Sequence, residues 1–188
     1  MKLPRFTTQR LILRQIEMKD AKDLVRQINN LNISKWLLAV PYPYTLRSAK
    51  WWINHCREKE KEKPRTSYEF AVELRENPGI IGGFGISNVK RDQGTADLGY
   101  WLGQDYWRKG YATEGVTKII DYAFQQLKLR RLVIPAFAAN EGSNGLAKSL
   151  GFTYEGRFRQ AVVCKATGKI HDENVWSLLR KEFKQRKK

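Results

Sequence analysis

The stretch over 95–129 constrains the fold more than any other. TADLGYWL at 95–102 has the pattern of a strand, QDYWRKGYATEG follows at once, and then Val116, Ile119, Ile120, Ala123, Phe124 and Leu127 recur at three- and four-residue spacing. That recurrence predicts a long amphipathic helix over 111–129. The junction between strand and helix is also a place where main chain can bind an anion. Gly110 permits close backbone approach, and the free N–H groups over 109–113, with the positive end of the helix, would face a phosphate. Arg108 and Lys109 add charge. A turn of this kind also occurs with no ligand, so the junction alone leaves both readings open.

The flanking segments fill in an α/β order. Alternation over 10–15 (RLILRQ) predicts an opening strand, and Ala21, Leu24, Val25, Ile28 and Leu31 predict a helix over 20–31. The prolines and aromatics over 36–44 argue for a loop, after which Thr45 caps a helix that passes through Trp51, Trp52 and Ile53 and ends before Pro64. Strands follow over 68–76 and 80–89 around an Asn-Pro-Gly turn, then the strand and helix above. A strand over 131–138, a helix over 143–150 stopped by Gly151, and a hairpin of 152–163 with 170–179 complete the chain. Such an order predicts one α/β domain with a mixed, mostly antiparallel sheet flanked by helices. Its expected extent is 1–182, with 183–188 a basic tail.

Composition narrows the setting. The chain has 188 residues, 41% of them hydrophobic, enough to bury one core. No apolar run approaches the ~20 residues of a membrane span, and the amino terminus lacks the apolar stretch of a signal peptide, so a cytoplasmic location and no membrane partner are expected. Cys56 and Cys164 stand apart with no ligand spacing around them, which predicts reduced thiols and no metal. A formal net charge of +16 would attract a polyanion such as RNA or a ribosome, without choosing among them.

The residues around Gly110 resemble the GNAT superfamily of N-acetyltransferases. Gly110, Tyr111 and Ala112 supply the second half of that superfamily's central signature, while Trp107 stands where Gln or Arg is usual. This departure is usual in one branch, whose sequences read like LGYWL followed by YWGKGYATEA and which includes the acetyltransferases of ribosomal-protein amino termini. The opening TQRLILRQ, the run NEGSNGLAKSLGF at 140–152, Glu155-Gly156 and HDENVWSLL at 171–179 are similar to the same branch. The resemblance covers nearly the whole chain. It implies the acyl-CoA N-acyltransferase fold and acetyl-CoA as co-substrate.

Site residues follow from the resemblance. The amides of Arg108, Lys109, Gly110, Tyr111, Ala112 and Thr113 would hold the pyrophosphate, and main chain at Tyr100, Trp101 and Leu102 would pair with the pantetheine arm as an added strand. Asn140 would contact the arm and Ser143 would lie near the thioester, although Asn140 also suits a helix cap and Ser143 a surface position. Asp97 stands where the branch carries glutamate and could take the amine's proton through water, or form an ion pair instead. A tyrosine that many members place four residues before the glycine of Gly-Phe is absent, since that position is Ala147. Ser143 is then the best support for the departing thiolate, with Tyr154 a weaker one. His55 and His171 read as structural or solvated, and Trp36, Tyr42, Tyr44, Trp51 and Trp52 fall on the acceptor side, Trp52 more as packing.

The function expected is acetyl transfer to a primary amine, foremost the α-amine of a protein such as a ribosomal protein. A small amine, polyamine or antibiotic, is the alternative, with Glu69, Glu73 and Asp97 as local acid against a basic surface. An RNA- or ribosome-binding module without turnover is the reading from another class. Monomer and homodimer both remain open.

Overall fold

The computed structural model describes residues 3–185. Eight strands form one sheet in the order β1-β2-β3-β4-β5-β6-β8-β7. They are β1 (Phe6–Thr7), β2 (Leu11–Gln15), β3 (Tyr68–Leu74), β4 (Ile80–Lys90), β5 (Thr95–Leu102), β6 (Arg131–Phe137), β7 (Thr153–Val163) and β8 (Ile170–Leu179). The helices are α1 (Ala21–Ile28), α2 (Leu31–Ser34), α3 (Leu46–Lys61), α4 (Tyr111–Gln125), α5 (Glu141–Ser149) and α6 (Arg180–Gln185). Only β5 and β6 pair in parallel, the pair that α4 crosses between; every other pairing is antiparallel. This is the mixed, mostly antiparallel sheet that the element order predicts.

Period-two alternation sends successive side chains to opposite faces. Phe70, Val72, Phe84, Ile86, Leu98, Leu132, Ile134 and Leu178 meet Val116, Ile119, Ile120 and Phe124 of α4 in the larger core. The other face carries a smaller core, in which Ala71 and Ile80 pack on Leu24 and Ile28 of α1 and Ala49 and Ile53 of α3. Thr45 caps α3 as its sequence position predicts, its hydroxyl oxygen accepting from the Ser48 N–H at 3.2 Å.

Several boundaries move, each for a local reason. The helix expected over 20–31 ends at Ile28, because Asn30 turns the chain and its side chain caps α2 by accepting from the Asn32 N–H at 2.9 Å. The long helix stops at Gln125 rather than 129. Lys128 takes φ +60, and the N–H groups of Leu127 and Leu129 fold back to the carbonyls of Tyr122 and Ala123. Both leucines are still buried, so their periodicity outlasts the helix. At the carboxy terminus, Phe183 packs on Phe124 at 5.5 Å between ring centroids, so core packing reaches into the segment expected to be tail. The rest of that segment's basic run, 186–188, lies outside the described residues.

Candidate active site

A fork in the sheet organises the site. β5 pairs with β6 only through Thr95, Ala96 and Asp97, opposite Arg131, Leu132 and Val133; beyond Asp97 the two strands part. On its other edge β5 stays paired with β4, Gly83 with Trp101 and Gly85 with Gly99, and the Gly103 N–H donates to the Ile81 carbonyl at 2.8 Å. An antiparallel ladder alternates, so the main-chain groups of Gly99, Trp101 and Gly103 are directed at β4. Those of Leu98, Tyr100 and Leu102 point into the fork. Within the segment 100–102, Tyr100 and Leu102 therefore offer the free edge, and Trp101 does not. The Leu102 carbonyl is already taken by Trp107, whose indole N–H donates to it at 2.8 Å. Trp107 thus staples the loop to the strand end, which gives the tryptophan at the usual Gln or Arg position a mechanical role.

The mouth of the fork is the amino terminus of α4. Gly110 sits at φ +80 as its N-cap, and no side chain caps the helix. The first-turn N–H groups of Tyr111, Ala112 and Thr113 are left without intrahelical partners, while Arg108, Lys109, Gly110 and Thr113 are exposed. Arg10 holds the loop from behind. Its guanidinium donates to the Lys109 carbonyl at 2.9 Å, pairs with Glu114 at 2.7 Å and lies 4.6 Å over the Tyr111 ring. These features fit a pyrophosphate-bearing ligand: unsatisfied donors at a positive helix end, the exposed cations Arg108 and Lys109, and an edge for an extended arm. No group of side chains suited to a metal occurs among the described residues.

The two sides of the fork differ in chemistry. On the α4 side, the Tyr100 hydroxyl reaches across to α5, 3.0 Å from Ser143 Oγ and 3.2 Å from the Ser143 carbonyl. Burial pushes the Tyr100 phenol up to about 12 against the pull of that hydrogen bond, so it keeps its proton at every working pH. The sequence offered Tyr100 only for its main chain. No motif marks its side chain, and the nearest signal in the sequence is the absence of tyrosine at Ala147, itself fully buried. Asn140 is the N-cap of α5, its Oδ1 accepting from the Ser143 N–H at 3.1 Å, so only its amide nitrogen is left for a ligand. Asn144 ties α5 down, accepting from Asn174 at 2.8 Å and Trp176 at 2.9 Å.

On the opposite side stand three carboxylates. Asp97 accepts from the Asn88 amide at 2.7 Å at the last paired rung. Glu173, on β8, is held above the usual carboxylate range by burial and then by Asp97 across the fork. Glu69 of β3 lies over Gly85, where an added Cβ would sit 2.0 Å from Oε2. Burial pushes Glu69 up to about 6, against the hydrogen bond from the Ser67 hydroxyl and the charge of Arg65. Above Gly99 the space is open, with nothing within 4 Å of where a Cβ would be.

Of the aromatics expected on the acceptor side, Tyr44 is a correction: it is 5% exposed and belongs to the smaller core. Trp52 packs at the edge of the same core, Tyr42 is exposed, and Trp51 stacks on His55 at 5.2 Å. His171 stacks on Phe137 at 4.6 Å. The hairpin of β7 and β8 bends over this side, its Lys165 N–H donating to the Leu38 carbonyl at 3.1 Å and Cys164 buried against the Lys35 carbonyl.

Comparison with known proteins agrees with this geometry. The family model described as "Acetyltransferase (GNAT) domain" matches residues 10–153. The N-acetyltransferase p20 of Bacillus licheniformis, uncharacterized, is 32% identical over 94% of this chain and 96% of its own. The ribosomal-protein-serine acetyltransferase of Escherichia coli is 32% identical over 44% of this chain and 46% of its own. Among solved structures, the Microcin C7 self immunity acetyltransferase MccE, in complex with acetyl-CoA and AMP, shares the fold with a TM-score of 0.79 at 24% identity, covering 91% of this chain and 93% of that one. The forked sheet, the bare helix end and the matched family model lead to one conclusion: the chain belongs to the GNAT acetyltransferases and is an acetyl-CoA-dependent N-acetyltransferase.

Proposed function

We propose that the acceptor is the α-amine at the amino terminus of a protein, of the ribosomal-protein type. The observation that carries this reading is the open approach to Gly99 on the face away from α4. A chain end can enter there without being enclosed. The name of the Escherichia coli relative and the net charge of +16, suited to a ribosomal surface, support it. Acetyl-CoA as co-substrate and two reduced thiols accord with a cytoplasmic setting.

In this reading acetyl-CoA supplies an acetyl thioester in the fork. The amides of Tyr111, Ala112 and Thr113 with Arg108, Lys109 and Gly110 hold the phosphates, and the free edge at Tyr100 and Leu102 takes the arm. The Asn140 amide nitrogen donates to the arm. The Tyr100 N–H, aimed into the fork, is the donor for charge developing on the carbonyl oxygen. Ser143, steadied by the Tyr100 hydroxyl, supports the departing sulfur. Asp97 relays the amine's outgoing proton to water.

A second reading, a small polyamine or aminoglycoside acceptor, is favoured by Glu69, Asp97 and Glu173 on one face. The deciding experiment measures thiol release from acetyl-CoA with peptides of varied amino termini, spermidine and an aminoglycoside. Release with peptides alone supports the protein amine; release with the polycations alone overturns it.

A further inference from the structure

We propose that Glu69 receives the acceptor amine, holding its ammonium group above Gly99 and taking its proton before the attack on the thioester. The proposal rests on the acetyl-transfer activity and on the arm lying along β5, not on which amine is used.

Register carries the argument. Glu69, Gly85 and Gly99 form one row across β3, β4 and β5, with Glu69 opposite Gly85 and Gly85 opposite Gly99. All three face away from α4, as do Ala71 and Trp101 beside them. With no side chain at two of the three positions, the Glu69 carboxylate lies over Gly85, where an added Cβ would be 2.0 Å from Oε2, and the next place in the row, over Gly99, is open. Directly hydrogen-bonded partners in such a ladder have Cα atoms about 5.5 Å apart. One strand spacing therefore separates the position over Gly85, which the carboxylate fills, from the open one over Gly99. Gly99 is also the second residue past the parting of β5 and β6, next to Tyr100 where the free edge begins. A Cβ at Gly85 would expel the carboxylate, and one at Gly99 would occupy the amine's place.

The carboxylate is prepared at one oxygen and free at the other. Oε1 accepts from the Ser67 hydroxyl at 2.9 Å, and no hydrogen bond to Oε2 occurs among the described residues. Its charged neighbours are Arg65, which precedes β3, Cys56, Arg57, Lys59 and Glu60 of α3 along the same crevice, and Asp97 on the same sheet face. Arg65 is anchored elsewhere, donating to the Ser67 carbonyl at 2.6 Å and to Glu60 at 3.3 Å. Burial pushes the Cys56 thiol up, which leaves it neutral. A carboxylate raised to about 6 is matched to taking a proton from an ammonium near neutral pH, better than one at the ordinary value.

One ammonium proton passes to Glu69 Oε2, and the freed nitrogen lone pair forms the C–N bond to the acetyl carbonyl carbon. The C–S bond breaks with its electron pair on sulfur. The second nitrogen proton ends on that sulfur, giving coenzyme A thiol and the acetamide, and Glu69 returns its proton to water or to Asp97.

The test compares wild type with Glu69→Gln and Glu69→Asp, using whichever of a serine-ended peptide, spermidine or an aminoglycoside the wild type acetylates. If the peptide is not acetylated but spermidine is, the protein-amine reading fails while this test proceeds on spermidine. Glu69→Gln is expected to lower kcat/KM about 100-fold at pH 7 and to regain at least about tenfold by pH 9, where the amine loses its own proton. Calorimetry should give an acetyl-CoA affinity within about twofold of wild type, and a carbon-13 carboxyl resonance titrating near pH 6 should vanish. Glu69→Asp keeps the charge one methylene short and guards against misfolding of the amide variant; it should retain the acidic limb of the pH profile at lower kcat/KM. Unchanged kcat/KM in Glu69→Gln, an equal loss at every pH, or a matching loss of acetyl-CoA affinity would each overturn the proposal.

Discussion

Two residues show how little of a position's chemistry its type reveals. Gly110 is a glycine because its φ of +80 is strained for any L side chain, and because an added Cβ would come within 3.2 Å of Arg10 Nη2. Gly110→Asp would set a carboxylate between Arg10 and the free amides of α4, and calorimetry should show acetyl-CoA affinity falling by about 100-fold or more. Glu69 illustrates the converse, a charge kept where it costs stability. Its pKa in the fold, about 6, lies above the ordinary 4.5, so the fold favours the protonated form. Stability from this group is present in full below pH 4.5 and is lost as pH rises through 6. Melting temperature should therefore fall between pH 5 and 7 in wild type and change less in Glu69→Gln, which gains at most about 2 kcal/mol at pH 7. At Ser143 the expected effect is smaller. Replacing it with alanine should lower kcat only several-fold, measured at saturating acetyl-CoA, because a thiolate departs with little help and the Tyr100 hydroxyl remains.

At the scale of elements, patterns of burial and the two hairpins of β3 with β4 and β7 with β8 were legible, and pairings between strands distant in sequence were not. The strand at 95–102, the cap at Thr45 and the closing strand at 170–179 match the structure because each writes its signal locally. β1 is two residues long and has no periodicity to read. The divergence of β5 from β6 leaves no local mark either, since Leu98 and Ile134 are as apolar as any paired residue. The Arg14 network is another such case. Arg14 on β2 bonds Asp20 at 2.7 Å, just before α1, and Glu73 on β3 at 2.8 Å, and these two partners hold its guanidinium charged. Asp20 is 3% exposed, so Arg14→Ala would strand a buried charge. A loss of about 3–5 kcal/mol in denaturant unfolding is expected.

For the whole molecule, the two faces of the sheet divide the reaction. In the proposed reaction the α4 face takes the phosphates, the arm and the departing sulfur, at the uncapped end of α4 and the hydrogen-bonded pair Tyr100 and Ser143. The other face gathers Glu69, Asp97 and Glu173 within a chain whose net charge is +16. Basic surface and acidic face are suited to different partners, the one to an anion and the other to the ammonium proposed above. Raising salt from about 0.05 to 0.5 M should therefore lower kcat/KM for acetyl-CoA several-fold, read from initial rates, since the field that draws a phosphate-rich substrate is screened within a few ångströms. An unchanged value would mean that the surface charge does not steer the cofactor.

The sequence alone determined the class of fold through its element order, and its resemblance to the GNAT superfamily implied the cofactor and the transferred group, because a main-chain phosphate site is written as a contiguous glycine turn and helix start that can be matched locally. The sequence also offered Glu69 and Asp97 as acids, but which glycines they stand beside on one sheet face was decided only by the tertiary structure. Glu69, Gly85, Gly99 and Asp97 come from three strands, and what joins them is sheet register, a property of hydrogen bonds between strands that no residue carries by itself.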